Sequence, residues 1–389
     1  MSWPMVKLGY IGKFQAGFGF PERFQGKVNG DFPFAKVGDI SKVARAGNKY
    51  IETANHFVDQ EDLPLLKAKT VPKGTIVFAK IGEAISQNFR AISSKEMLID
   101  NNAMGLVPNL EIIDLDYLYH FMCKLDLYKY AGITTVPALR KSTLEEIDIP
   151  LPPLAEQKRI AAILDKADAI RRKRQQAIQL ADDFLRAVFL EMFGDPVTNP
   201  KGWEVRSFSD VCKCSQGIQV DSELQKDSAE NGYVKFLRII NYTQSSKEFK
   251  FIPAPSTDKA LINKDEIVMV RYGATAGFVG RGLDGVLANN LFKISFEKSV
   301  LENEYFYYLL NSDYFQNILR NNKKGGAMPA ISFGQLNDIE IMTPSLEVQS
   351  KFSQVVNMIS DIKEHSIHSA LLSNDSFNAL SQKAFAGEL

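Results

Sequence analysis

The 389-residue chain is written twice. At an offset of 192 residues, the stretch from Ala138-Leu139 to Leu151-Pro152-Pro153-Leu154 matches the stretch from Ala330-Ile331 to Thr343-Pro344-Ser345-Leu346. Leu144 meets Leu336, Ile147 meets Ile339, Ile149 meets Ile341 and Gln157 meets Gln349; further on, Ala187 meets Ala379 and Phe193 meets Phe385. A repeat near half the chain length constrains a fold more than any local propensity, because each copy must build the same unit.

The earlier parts of the two copies match in the same order with drifting offsets, as surface-loop insertions produce. Phe34-Ala35-Lys36-Val37 pairs with Phe236-Leu237-Arg238-Ile239, and the run from Gly74 to Gly82 pairs with that from Asp265 to Gly273. Asn101-Asn102 pairs with Asn289-Asn290, and Tyr117-Leu118-Tyr119 with Tyr305-Phe306-Tyr307. The expected class is α+β. Mixed α/β domains at 1–150 and 195–343 alternate with long helices at 151–194 and 344–389. Apolar runs such as 75–79 and 266–270 read as strands. One amphipathic helix is expected near the close of each domain, about 116–129 and 302–320.

Proline at 152, 153 and 344 sits where helices tolerate it, at their start, and Ser345 suits an N-cap. The first long helix repeats Ile163, Ala167, Ile170, Arg174, Ala177, Ala181, Phe184 and Val188 at alternating steps of four and three, a heptad seam. The second carries Phe352, Val355, Ile359, Ile362, Ser366, Ser369, Ser373, Phe377, Leu380 and Ala384. Its middle is polar, so packing there is expected to rely on hydrogen bonds. At 1.5 Å per residue each helix spans about 60 Å, too long for one globule to bury. The two helices need each other or an outside partner.

Reactive chemistry is missing. There is no Gly-rich loop ending in Gly-Lys-Ser/Thr, and no Asn-Pro-Pro-aromatic tetrapeptide. Ala16-Gly17-Phe18-Gly19-Phe20 lacks the strand-turn-helix setting of a nucleotide site and reads as a loop. Cys212 and Cys214 have no second Cys or His pair at zinc spacing, and four histidines offer no partnered nucleophile. Three cysteines are too few for a disulfide framework, which fits a reducing cytoplasm. MSWPMVKLGY does not resemble a secretory signal, and no run of about 18 apolar residues predicts a membrane span. With 46 basic against 46 acidic residues, the net charge neither favours nor excludes nucleic acid.

An ordered, duplicated chain of this kind reads as a binder. Lys80-Ile81-Gly82 and Arg271-Tyr272-Gly273 follow apolar strands at equivalent places, where a cation beside glycine can approach a phosphate or base edge closely. Arg271 is the stronger candidate, since its planar fork can take guanine at two points. Lys36 and Arg238 form a second equivalent pair. Lys323-Lys324-Gly325-Gly326 resembles a phosphate-gripping loop. The DNA-binding set is therefore Lys36, Lys80, Gly82, Arg238, Arg271, Tyr272, Lys323 and Lys324.

The run Ile149-Pro150-Leu151-Pro152-Pro153-Leu154-Ala155-Glu156-Gln157-Lys158-Arg159-Ile160 resembles the start of the central conserved region in specificity subunits of type I restriction–modification systems. Ala384-Phe385-Ala386-Gly387-Glu388-Leu389 resembles their common ending, with Phe193-Gly194-Asp195 as its central counterpart. The resemblance covers the whole chain in the order variable, conserved, variable, conserved. It departs in the second copy, where a single proline stands at 344 and Val348 replaces the expected Glu. The resemblance implies two target recognition domains, each reading one half of a split, asymmetric DNA site. It implies long helices paired as an antiparallel coiled coil that separates the domains with pseudo-twofold symmetry and fixes the unread spacer. Methyltransferase subunits would dock on those helices, at Gln157, Ile160, Ile163, Ile170, Phe184, Gln349, Phe352, Ile359, Ile362 and Phe377. The chain itself would bind no cofactor. S-adenosylmethionine, ATP and magnesium would belong to the methyltransferase and the endonuclease/translocase subunits. Two rivals remain at this stage: a self-contained methyltransferase or nuclease, and a two-domain transcription regulator that dimerises through the helices.

Overall fold

The computed structural model describes residues 3–132, 135–321 and 330–389. They form two compact units, Met1–Gln176 with Ser366–Leu389, and Ala177–His365. The long helices run unbroken from Leu154 to Phe193 and from Leu346 to Ala386. Each unit thus holds one mixed domain, the first half of the helix that follows it and the last half of the other helix.

In the first unit a five-stranded sheet runs in the order Gly12–Ala16, Ala103–Pro108, Ile76–Ala79, Arg90–Ser93, Tyr50–Ile51. A three-stranded sheet runs His56–Val58, Phe32–Ala35, Leu98–Ile99. The second unit repeats the plan with Cys212–Gln216, Leu291–Phe296, Ile267–Val270, Val279–Gly280, and with Lys250–Pro253, Tyr233–Leu237, Gly285–Leu287, Leu261–Ile262. The register repeats too: Ala16 faces Met104 as Gln216 faces Phe292. Ile76–Ala79 and Ile267–Val270 are fully buried apolar runs, as central strands require. A last ribbon in each unit, Met5–Lys7 on Asp148–Pro150 and Val205–Ser207 on Glu340–Met342, delivers the chain to its helix.

The glutamine shared by the two copies is the fastener between domain and helix. Gln157 accepts from the backbone N–H of Asp114 (2.7 Å) and donates to the carbonyls of Ile112 (3.1 Å) and Pro152 (2.8 Å). Gln349 accepts from the N–H of Glu302 (2.7 Å) and donates to Val300 (2.8 Å) and Pro344 (2.7 Å). Both amides are completely buried, so each satisfies backbone groups that burial would otherwise leave unpaired. Beside them the Tyr117 hydroxyl donates to the Pro150 carbonyl, and the Tyr305 hydroxyl to Met342.

Each core is closed from two directions. In the first unit Ile160, Ala161 and Leu164 of the following helix join Ala384 of the other helix, and Phe385 packs against Tyr117 and Phe121. In the second unit Phe352 joins Leu185, Phe189 and Phe193, with Phe193 against Tyr305. The last residues pack within the first unit, where Arg159 of its helix donates to the Leu389 carbonyl at 2.9 Å.

Two expectations need correction. The first helix does not present a single heptad seam, because Ile170 and Phe184 are about half exposed. Its ends are rotated to bury Leu164, Leu185, Phe189 and Phe193 against the domains, since a domain core offers more apolar contact than a partner helix. Of the seam, Arg174 does reach across, donating to the Ser369 carbonyl (2.6 Å) and to the Ser373 hydroxyl. Lys363 pairs with Asp182 at 2.5 Å within the other unit, so the polar middle is bridged as its sequence suggests. The second correction concerns 302–320, which is two helices, Asn303–Asn311 and Asp313–Asn321. Ser312 adopts an extended conformation between them, its hydroxyl donating to the Leu309 carbonyl at 2.6 Å.

Candidate nucleic-acid interface

The sequence pairs occupy matching backbone frames. Lys80 follows its strand and donates its N–H to the Asn102 carbonyl at 2.8 Å; Arg271 donates to Asn290 at 2.8 Å. The Lys80 and Arg271 carbonyls accept from Leu139 (2.8 Å) and Ile331 (2.9 Å). Gly82 and Gly273 follow with φ of 77° and 93°, a conformation that β-carbon-bearing residues rarely take. Lys36 and Arg238 cap the helices Val37–Arg45 and Ile239–Thr243, their N–H groups bonded to Asp39 and Asn241 side chains.

The two cations of each domain flank one turn. The Asp100 N–H donates to the Ala35 carbonyl just before Lys36, and Asn102 receives Lys80. In the second domain the Ala288 N–H donates to Leu237 just before Arg238, and Asn290 receives Arg271. The loops after Gly12–Ala16 and Cys212–Gln216 press on the same turn in their domains. At Gly17 a β-carbon would fall 1.9 Å from the Asp100 carbonyl oxygen, and at Gly217 2.2 Å from that of Ala288, so only glycine fits. This explains the loop 16–20: Gly17 is there for close approach, and Phe20 stacks on Phe34 with centroids 3.7 Å apart. Burial pushes the Asp100 carboxyl up, against the hydrogen bonds from Asn102 and the charge of Lys36.

Side-chain detail differs between the copies. In the first domain the Lys36 ammonium lies over the Phe20 ring and donates to Gln25 at 2.8 Å. In the second, the Arg271 guanidinium lies 4.9 Å from the Tyr272 ring centre and 5.1 Å from that of Phe333, and donates to the Gln216 side chain. Gln216 donates to the Asn289 carbonyl (2.9 Å), and the Asn289 side chain donates to Gln219 (3.2 Å). Arg238 donates to the Glu248 carbonyl at 3.1 Å. Lys323 and Lys324 lie outside the described residues. Gln216, Gln219 and Phe333 were not legible as site residues; they come from segments far apart in the chain that meet at one strand end.

The helix positions proposed for docking divide by burial. Gln157, Ile160, Gln349 and Phe352 are fully buried within their own units and present no surface. Ile163, Ile359 and Phe377 are half-buried, while Ile170, Phe184 and Ile362 are exposed. Among the described residues no group of three or more His, Cys, Asp or Glu could hold a metal ion, and the three cysteines are free. Burial pushes the Cys214 thiol up to about 12. No described helix is long and apolar enough to cross a membrane.

One further cluster ties the first domain to its helix. Lys49 pairs with Asp116 at 3.0 Å and with Asp165 of the long helix, and His120 meets Asp165 at 2.5 Å. Burial alone would raise the Asp165 carboxyl, but hydrogen bonds from His120 and Lys49 pull it down to about 2. The second domain answers with Arg281, which binds both Glu304 carboxylate oxygens at 2.7 Å and lies 4.0 Å over the Tyr307 ring.

Duplicated domains with cations at strand ends, each clasped by long helices, define a binding scaffold. The family model for the type I restriction modification DNA specificity domain matches residues 2–180 and 200–369. The chain belongs to this family: it is a specificity subunit of a type I restriction–modification system, the DNA-recognising rather than the catalytic component. It is 23% identical to the type I restriction enzyme MjaIX specificity subunit of Methanocaldococcus jannaschii, over 91% of this chain and 86% of that one. The EcoBI specificity subunit of Escherichia coli is 20% identical, over 100% of this chain and 86% of the other. Among solved structures, the S subunit from M. genitalium superposes with a TM-score of 0.59 at 14% identity, covering 99% of this chain and 96% of that chain.

Proposed function

We propose that this chain reads an asymmetric, bipartite DNA sequence, one half-site per domain, and presents it to methyltransferase and endonuclease subunits docked on its helices. The observation that carries the reading is the recurrence of one hydrogen-bonded frame with unlike side chains. Lys36 and Lys80 flank the turn in the first domain; Arg238 and Arg271 flank it in the second. Equal frames point each domain at DNA in the same way, while unequal side chains select different bases. Lys323 and Lys324 would add phosphate contacts that position without specifying. Exposed Leu180, Phe184, Met358 and Ile362 in one unit, and Ile170, Leu371 and Leu372 in the other, give the helices apolar surface for partner subunits. S-adenosylmethionine, ATP and magnesium would be held by those partners, in the cytoplasm where the genome is reached.

A gel-shift of the chain with its methyltransferase subunits tests this. Tight binding of particular split sequences is expected; equal binding of every duplex would contradict it. Calorimetric binding of S-adenosylmethionine by the chain alone would favour a self-contained enzyme instead.

A further inference from the structure

The strand-end frames of the two domains are equal in backbone but not in side chains. The second domain carries a row in which exposed Gln219, Asn289 and Gln216 and half-buried Arg271 are linked in series by hydrogen bonds. At the matching positions, set by the shared strand register and turn bonds, the first domain has Gly19, Asn101, Ala16 and Lys80. Space is open at Gly19, where a β-carbon would meet nothing within 4 Å. The row is therefore a property of one domain, and packing does not impose it on both.

We propose that this row is the base-reading edge of the second domain, with Arg271 addressing a guanine and the Asn289 and Gln219 amides addressing the neighbouring base pair. The inference rests on the DNA-reading function above and names the residues that would carry half of it. Three observations support it. The rings of Tyr272 and Phe333 hold its plane, and Gln216 takes one of its ends. Its Nε is buried and unpartnered among the described residues. Gln216 and Asn289 are exposed, so the row faces solvent at the strand end. A fork fixed in plane loses little freedom on binding, and its geometry matches the O6 and N7 acceptors of guanine in the major groove. Asparagine and glutamine amides match the donor and acceptor pair that adenine shows there. Gln216 acts through Arg271 as a positioning residue. Lys80, a point charge without such a brace, gives the first domain a contact with no comparable base preference at this spot.

The test is selection from random duplexes by the chain assembled with its methyltransferase subunits, comparing wild type with Arg271→Lys, Gln216→Ala and Asn289→Ala. The wild-type complex is expected to enrich two separated blocks. Arg271→Lys should erase a guanine preference within one block, by roughly ten- to hundredfold, and leave the other block and the gap intact. Its affinity for the preferred duplex should fall by the same factor, while the salt dependence of its binding to duplexes lacking the motif should be unchanged, because the charge is kept. Gln216→Ala should weaken the same guanine preference, and Asn289→Ala the preference at the adjacent position. If the wild type enriches two blocks and all three variants enrich the same two, the assignment is overturned while the bipartite reading stands. Loss of both blocks together in Arg271→Lys would also overturn it, as damage not confined to one domain. A wild-type complex that enriches nothing overturns the reading beneath, and this inference with it.

Discussion

At the scale of single residues, the most informative positions are those that recur with the same partners. Gln157 and Gln349 each spend both ends of a buried amide on the backbone, so replacement by alanine leaves an N–H and carbonyls unpaired. Gln157→Ala should cost about 2–3 kcal/mol in denaturant unfolding. Gln157→Glu, nearly isosteric, should cost at least as much, because a carboxylate would face the carbonyls of Ile112 and Pro152; a neutral result would contradict the geometry. Asp165 gives a pH prediction. Its folded carboxyl is held near 2, below the unfolded value near 4, so its contribution is present above pH 4 and is lost as pH falls through 2. The melting difference between wild type and Asp165→Asn should therefore shrink over that window; a difference constant from pH 5 to pH 2 would reject the assignment. These glutamines were visible in the sequence because a repeated residue stands out. The Lys49, Asp165 and His120 cluster was not, since its members are up to 116 residues apart and nothing local marks them.

At the scale of elements, the long helices were legible from proline placement and length, and they run from Leu154 to Phe193 and from Leu346 to Ala386. Their rotation was not. Heptad counting assumes that a helix packs only on a partner helix, whereas these helices also insert their ends into domain cores. Hence Ile170 and Phe184 face outward while Phe189 and Phe193 are buried. Two substitutions check this division. Phe193→Ala should destabilise its unit by about 3–5 kcal/mol, as loss of a buried ring does. Phe184→Ala should change the stability of the isolated chain by less than about 0.5 kcal/mol, as exposed positions do, yet weaken assembly with the methyltransferase subunits in a pull-down titration. Equal effects of the two on unfolding would refute the observed phase. The helix break at Ser312 was likewise hidden, because a serine within an apolar pattern gives no sign that its hydroxyl will bond backward.

At the scale of the whole molecule, one hydrogen-bonded frame is built twice with unlike side chains. Two domains built on one frame carry different residues at the strand end, which is what the proposed bipartite reading requires. The order of the repeat and the cation positions at strand ends could be read from sequence. The side chains that gather around Arg271 could not, because Gln216 reaches it from a strand near the start of the domain and Phe333 from a short helix near its end. If the helices set the gap between half-sites, matched removal of seven residues from both, about 10 Å of rise, should shorten that gap by about three base pairs in a selection experiment. An unchanged gap would show that something else sets it. The most direct test of the central claim is a genome-wide map of methylated adenines in cells that express this chain with its methyltransferase partners as their only modification system. Methylation confined to one motif made of two unlike blocks around a gap of fixed length is the predicted result, and a single uninterrupted or palindromic motif would contradict it.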